Sequence, residues 1–196
     1  MNKILIITDA WEPQVNGVVT TMTTVSSKLK NKGYEVDVIH PGLFHTFPLP
    51  NYPEISVAWN FWDLKKKIEK SKPDFVHISV EGPLGLTGRH YCLEHNIPYT
   101  SCIHTKFPEY VYERFRIGLD VTKGILKWFH NSAAKTLVNT VSHRDELEAD
   151  GFTNLVLWSR GFDEKIFYPD PDGGKQEYLL YVGRVAVEKN IEEFLK

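Results

Sequence analysis

Apolar residues recur along most of this chain in two alternating rhythms. Short β-branched or aromatic runs occupy Lys3–Thr8, Glu35–His40, Asp74–Ser79, Tyr99–Ile103, Leu137–Val141 and Leu155–Trp158. Several are apolar almost without a break, the pattern of strands covered on both faces. Between the first two lies Val18–Lys32, whose Val and Thr content favours a strand by propensity. Its apolar positions Val18, Met22, Val25 and Leu29 instead follow a helical period, and Gly33 supplies a stop. We expect a helix there and two more at Leu84–His95 and Ser142–Asp150. The last has Ser142 as N-cap, Asp145 three residues on and Gly151 after its end. Glu109–Ala134 is expected to be a longer helical stretch broken near Gly118, with Val121, Ile125, Trp128 and Phe129 on one face. Pro41–Pro53 carries four prolines and is expected to be a loop. Alternating strands and helices predict right-handed βαβ units, hence an α/β fold built on a Rossmann-like, doubly wound parallel sheet.

The rhythm changes after residue 162. Tyr168-Pro169-Asp170-Pro171-Asp172-Gly173-Gly174-Lys175 has linker composition, and Tyr178–Gly183 again resembles a buried strand. We therefore expect one domain over residues 1–162, a linker over 163–177, and the opening strand–helix unit of a second, truncated domain over 178–196. The other arrangement is an extra strand and helix completing the first sheet. With 196 residues, the chain holds one full domain of the usual ~100–200 residues and part of another.

Charge and cysteine content narrow the function classes. Against 25 Asp+Glu stand 23 Lys+Arg, a formal net charge of −2, which leaves no broad basic field for nucleic acid. Two cysteines form no disulfide framework, and they read as buried thiols. The apolar run at the N-terminus is too short for a signal peptide, and no run is long enough to span a bilayer. A cytoplasmic protein is the expectation.

Four segments carry candidate chemistry. Asp9-Ala10-Trp11-Glu12-Pro13-Gln14-Val15-Asn16-Gly17-Val18 joins the first strand to the first helix, at the end of the sheet where open α/β folds bind ligands. Gly17 would let helix-terminal amides approach a phosphate, although an ordinary Asn-Gly turn explains the same spacing. Glu81-Gly82-Pro83-Leu84-Gly85 follows another strand, with Pro83 suited to a first helical turn. His104-Thr105-Lys106-Phe107-Pro108-Glu109 places a histidine where it could hydrogen-bond a ligand hydroxyl, although a lone histidine is more often structural. In Gly183-Arg184-Val185-Ala186-Val187-Glu188-Lys189-Asn190, Arg184 and Lys189 flank a strand–helix turn and could face one anion; a solvated turn with an ion pair is the other reading.

Together with Trp158-Ser159-Arg160-Gly161-Phe162-Asp163, Phe167 and Pro169, these segments resemble, in order, the motifs of family 4 GT-B glycosyltransferases. The similarity is strongest to α-mannosyltransferases and to glycolipid-forming sulfoquinovosyl and diglycosyl-diacylglycerol transferases. It implies a retaining transfer of a hexose, with mannose from GDP-mannose foremost, to a lipid or glycan acceptor. A UDP-sugar donor is the alternative. By the same resemblance Arg184 and Lys189 would neutralise the donor diphosphate without a metal or other cofactor, and Asn16 and Gly17 would sit beside it. His104 would be the catalytic histidine near the reacting carbon, and Arg160 marks a branch of the family. The family's paired glutamates, seven residues apart, have no counterpart up to Lys196. We therefore expect this chain alone to bind donor feebly and to transfer nothing.

Two basic, partly apolar stretches could touch a membrane from the cytoplasmic side. Lys65–Lys72 reads first as the wet face of a helix whose Leu64 and Ile68 point inward, and Phe115–Phe129 reads first as core. Cys102 and His104 have no partners at metal-ligand spacing. The competing class is a non-catalytic, flavodoxin-like binding or scaffold module. Its receiver-domain variant would need an acidic pair after the first strand, where only Asp9 stands.

Overall fold

The computed structural model describes residues 2–49, 52–104, 118–162, 164–169, 178–183, 185 and 190–195. In chain order the strands are β1 (Lys3–Ile7), β2 (Glu35–Ile39), β3 (Thr46–Leu49), β4 (Tyr52–Ala58), β5 (Phe75–Ile78), β6 (Tyr99–Ile103), β7 (Lys135–Val138) and β8 (Leu155–Leu157). The helices are α1 (Gly17–Asn31), α2 (Leu64–Ser71), α3 (Pro83–Glu94), α4 (Leu119–His130), α5 (Val141–Ala149) and the short α6 (Ile191–Phe194). Six strands form one sheet in the order β2-β1-β5-β6-β7-β8, with every neighbouring pair parallel. This is the Rossmann-like α/β arrangement that the strand–helix alternation predicts. Strand order reverses between β1 and β5, which opens a crevice at their carboxyl ends.

Both faces of β1 are covered, and its residues divide by the two-residue period of a strand. Ile4 and Ile6 pack with Met22, Val18 and Leu29 of α1. Leu5 and Ile7 pack on the other face with Leu64 and Ile68 of α2 and with Leu84, Tyr91 and Cys92 of α3. Each such fully buried aliphatic side chain contributes roughly 1.5–3 kcal/mol relative to exposure. A third cluster joins Ile103, Leu126, Val138, Leu147 and Phe152 under α4 and α5.

The helix α1 forms despite its Val and Thr content because its ends are well satisfied. Asn16 Oδ1 accepts from the amides of Val18 and Val19, both at 3.0 Å. At the other end Gly33 has φ +87°, with its N–H on Lys30 O and the next N–H, from Tyr34, on Leu29 O. This is the paired closure that a left-handed residue permits.

Several expectations are corrected. Pro41–Pro53 is not simply a loop: a single helical turn at Pro41–Leu43 precedes the antiparallel hairpin β3–β4, which stands apart from the main sheet. Pro48 and the irregular register beside it are tolerated because a two-stranded ribbon has only edge strands. The strand expected at Leu137–Val141 begins at Lys135 and ends at Val138, since Val141 already opens α5. The N-cap of α5 is Thr140, not Ser142; its Oγ1 accepts from His143 N at 3.2 Å. In α4 the expected apolar face divides. Phe129 is buried with Thr122 and Leu126, whereas Val121, Ile125 and Trp128 are exposed by more than half. Spacings of i, i+4, i+7 exist on both sides of this helix, and only packing chooses between them. Tyr178–Gly183, expected to be a strand, carries no strand pairing, and Leu179 and Val182 are exposed. The expected linker lies largely outside the described residues, as does most of Glu109–Gly118. Leu64 and Ile68 do point inward from α2, and both cysteines are buried, their thiols pushed up to about 12 by burial. No helix among the described residues is long and apolar enough to cross a membrane.

Candidate functional site

The parallel sheet brings the segments after β1, β5, β6, β7 and β8 to one end of the molecule. Asp9 follows β1 and reaches across the strand-order reversal to α3. Its Oδ1 accepts from Leu84 N at 2.9 Å and its Oδ2 from Gly85 N at 3.0 Å. The carboxylate thus caps a helix whose own N-cap, Gly82, has no side chain to offer. The fit demands glycines: a Cβ on Gly82 would strike the Asp9 carboxyl, and one on Gly85 the Val80 carbonyl oxygen. Burial pushes the Asp9 carboxyl up to about 6 against the pull of the two amides, and the charge of Glu81 adds to the rise.

His104, one residue past β6, is fixed through both ring nitrogens. Arg160 donates to its Nδ1 at 2.7 Å, and its Nε2 lies 3.3 Å from Ser79 Oγ beyond β5. An Arg donor on Nδ1 leaves the proton on Nε2, so the ring is a neutral donor. Burial foremost, and the Arg160 charge in the same direction, lower its pKa to about 3. Asn139, past β7, approaches the His104 carbonyl with Nδ2 at 3.5 Å, while its Oδ1 is buried without a partner among the described residues.

The structure therefore brings three sequence-derived candidates together. Among the described residues a Cβ on Gly17 would meet only Arg160 Nη1, at 3.7 Å, so none of them requires glycine there. Gly17, Arg160 and His104 line one corner. Asn16 adjoins them, but its side-chain oxygen is spent on capping α1. The other pair, Arg184 and Lys189, lies outside the described residues.

Sequence reasoning missed a buried polar chain beside this corner. Glu81 Oε1 lies 2.9 Å from His130 Nε2, and His130 Nδ1 lies 2.9 Å from Ser101 Oγ, which in turn contacts Thr136 Oγ1 at 3.0 Å. His130 follows Glu81 by 49 positions, so no local spacing signals the pair. Arg89 was missed for the same reason: it bonds the carbonyls of Trp128 and Phe129 at the end of α4 and stacks on the Trp128 ring. Among the described residues no cluster of three or more His, Cys, Asp or Glu could hold a metal.

The family model described as Glycosyltransferase Family 4 matches residues 15–166, which include Asn16, Gly17, His104 and Arg160. The chain belongs to glycosyltransferase family 4. This family 4 chain is 24% identical to a GDP-mannose-dependent alpha-mannosyltransferase of Corynebacterium glutamicum, over 97% of its own length and 53% of the relative's. A protein of the same description from Mycobacterium tuberculosis is 25% identical, over 97% and 58%. An alpha-monoglucosyldiacylglycerol synthase of Streptococcus pneumoniae is 27% identical, over 72% of this chain and 33% of that one. The family 4 chain thus spans about half the length of the mannosyltransferases it matches. Among solved structures, a UDP-GlcNAc 2-epimerase from Methanocaldococcus jannaschii shares the fold, with a TM-score of 0.50 at 12% identity, over 80% of this chain and 45% of that one.

Proposed function

We propose that this family 4 chain forms the acceptor-side part of a retaining hexosyltransferase, moving mannose from GDP-mannose to a lipid or glycan. One observation carries the reading: a neutral, doubly anchored His104 meets Arg160 and the open face of Gly17 at the strand-end crevice. A neutral imidazole brings no charge of its own, and its Nε2–H, held by Ser79 Oγ at 3.3 Å, can pass to a sugar oxygen that displaces the serine. Arg184 and Lys189 supply the fixed cations for the departing diphosphate, so the reaction needs no metal. The names of the mannosyltransferase relatives support mannose, and that of the Streptococcus protein favours glucose as the second donor sugar.

A lipid acceptor would bring the protein to a membrane from the cytoplasmic side, and the surface suits this. Phe47, Trp59, Phe61 and Trp62 form an exposed chain of edge-on ring contacts, and the neighbouring Lys66 side chain is 83% exposed.

The test supplies the protein carrying this chain with radiolabelled GDP-mannose or UDP-glucose and a lipid extract, with and without EDTA. Mannose transfer with the α configuration retained and no loss to chelator is expected. Labelling from UDP-glucose alone would replace the donor, and no transfer from either would overturn the activity. His104→Ala should lower turnover by about 100-fold or more, as loss of one fixed donor does, while Arg184→Ala should also raise the KM for donor. Wild-type kinetics in either would remove the assigned role.

A further inference from the structure

We propose that Glu81 is a substrate-binding residue of the crevice, taking a sugar or polyol hydroxyl on its Oε2, and that His130 with Ser101 positions it. The inference rests on the family 4 reading for the identity of the crevice, but not for the geometry.

Glu81 stands between β5 and α3, two residues beyond the Ser79 that anchors His104 and next to the Gly82 that packs on Asp9. Its charge bears on Asp9, and His130 is close enough to act electrostatically on His104, so these groups share one end of the sheet. The Glu81 side chain is only 17% exposed, yet its single partner among the described residues is His130, on Oε1. Oε2 has no partner among the described residues. A carboxylate oxygen only accepts, and leaving one at a crevice without a donor is costly unless a ligand or water supplies it.

The histidine behind Glu81 is held far more firmly than an exposed ion pair requires. His130 is 0% exposed, with an edge-on contact from Phe129 at 4.9 Å between centroids and a tilted one from Phe152. Both of its ring nitrogens are engaged, and its carbonyl accepts from Thr136 Oγ1 and Asn154 Nδ2. A fully engaged buried network fixes orientation, and what it orients is the Glu81 carboxylate at the strand ends. On the His104 side of the crevice Arg160 is a donor. A polyol offers both a hydroxyl proton for Glu81 and lone pairs for that donor, which a bare anion or an apolar tail does not.

The donor hexose and the acceptor both carry such hydroxyls, and the test separates the two sources. Steady-state transfer is measured for wild type and Glu81→Gln with a set of deoxy donors and deoxy acceptors. We expect Glu81→Gln to lower kcat/KM about 10–100-fold, the usual effect of removing a charged hydrogen-bond partner, with little change in unfolding temperature. One deoxy analogue should be penalised in wild type and not in the variant; whether it is a donor or an acceptor names the source. Ser101→Ala should lower the same penalty in part, and add nothing when combined with Glu81→Gln. Deoxy penalties that are all unchanged in Glu81→Gln would overturn the inference, since a purely structural role would not distinguish hydroxyls. Should transfer fail altogether, the proposed activity falls, but the contact is still read by saturation-transfer NMR with methyl α-mannopyranoside and glycerol. Signals from wild type that are lost in Glu81→Gln support the contact. Equal signals in both proteins, or none in wild type, overturn it.

Discussion

Burial at the strand ends pushes two titratable residues toward their neutral forms, with opposite consequences for pH. Asp9 has its carboxyl raised to about 6, so the stability it contributes is complete below the unfolded value near 4 and is lost as pH rises through 6. The stability of wild type relative to Asp9→Asn should therefore fall by on the order of 2–3 kcal/mol between pH 4 and pH 7, read from urea melts at each pH. A constant difference would mean that Asp9 ionises freely. His104 is lowered to about 3, so its contribution is present above 6.5 and is lost only as pH falls toward 3. Its ring resonances should stay flat from pH 8 to pH 5 by NMR, and a midpoint near 6.5 would contradict the burial. The position of His104 after a strand is visible in the sequence. Its protonation state is not, because burial in the folded chain sets it, reinforced by an Arg160 that lies 56 positions away.

Among the elements, helix stops are local signals and buried faces are not. The glycine closures of α1 and α5 are local chemistry: Gly151, with φ +89°, ends α5 as Gly33 ends α1, and the Phe152 amide then bonds Leu147 O while both side chains enter one cluster. The face of α4 was not local. Val121-Ile125-Trp128 and Thr122-Leu126-Phe129 have the same spacing, and the sheet beneath selected the second. Leu126→Ala should cost about 2–5 kcal/mol and Ile125→Ala well under 1 kcal/mol, checked by chemical denaturation. Equal costs would show that the face is assigned wrongly. The β3–β4 hairpin escaped notice because four prolines in Pro41–Pro53 argue against a central strand, whereas this ribbon pairs only with itself.

For the whole molecule, the question is which surfaces the protein presents to its surroundings. The aromatic corner at Phe47, Trp59 and Trp62 is an exposed apolar feature, and it adjoins the helix that carries Lys65 and Lys66. Flotation with anionic vesicles should carry the wild-type protein upward, and Trp59→Ala with Trp62→Ala should leave most of it at the bottom. No flotation of wild type would remove membrane contact from the proposed function. The sequence by itself determined the α/β alternation, the α1 helix with its Gly33 stop, and the strand-end placement of Asp9, Gly17, Glu81 and His104. Each of these rests on periodicity or on bonds between near neighbours. Tertiary structure alone decided which face of α4 is buried, that Arg160 meets His104, and that His130 stands behind Glu81. These contacts join residues dozens of positions apart, and only the parallel stacking of six strands carries them to one edge.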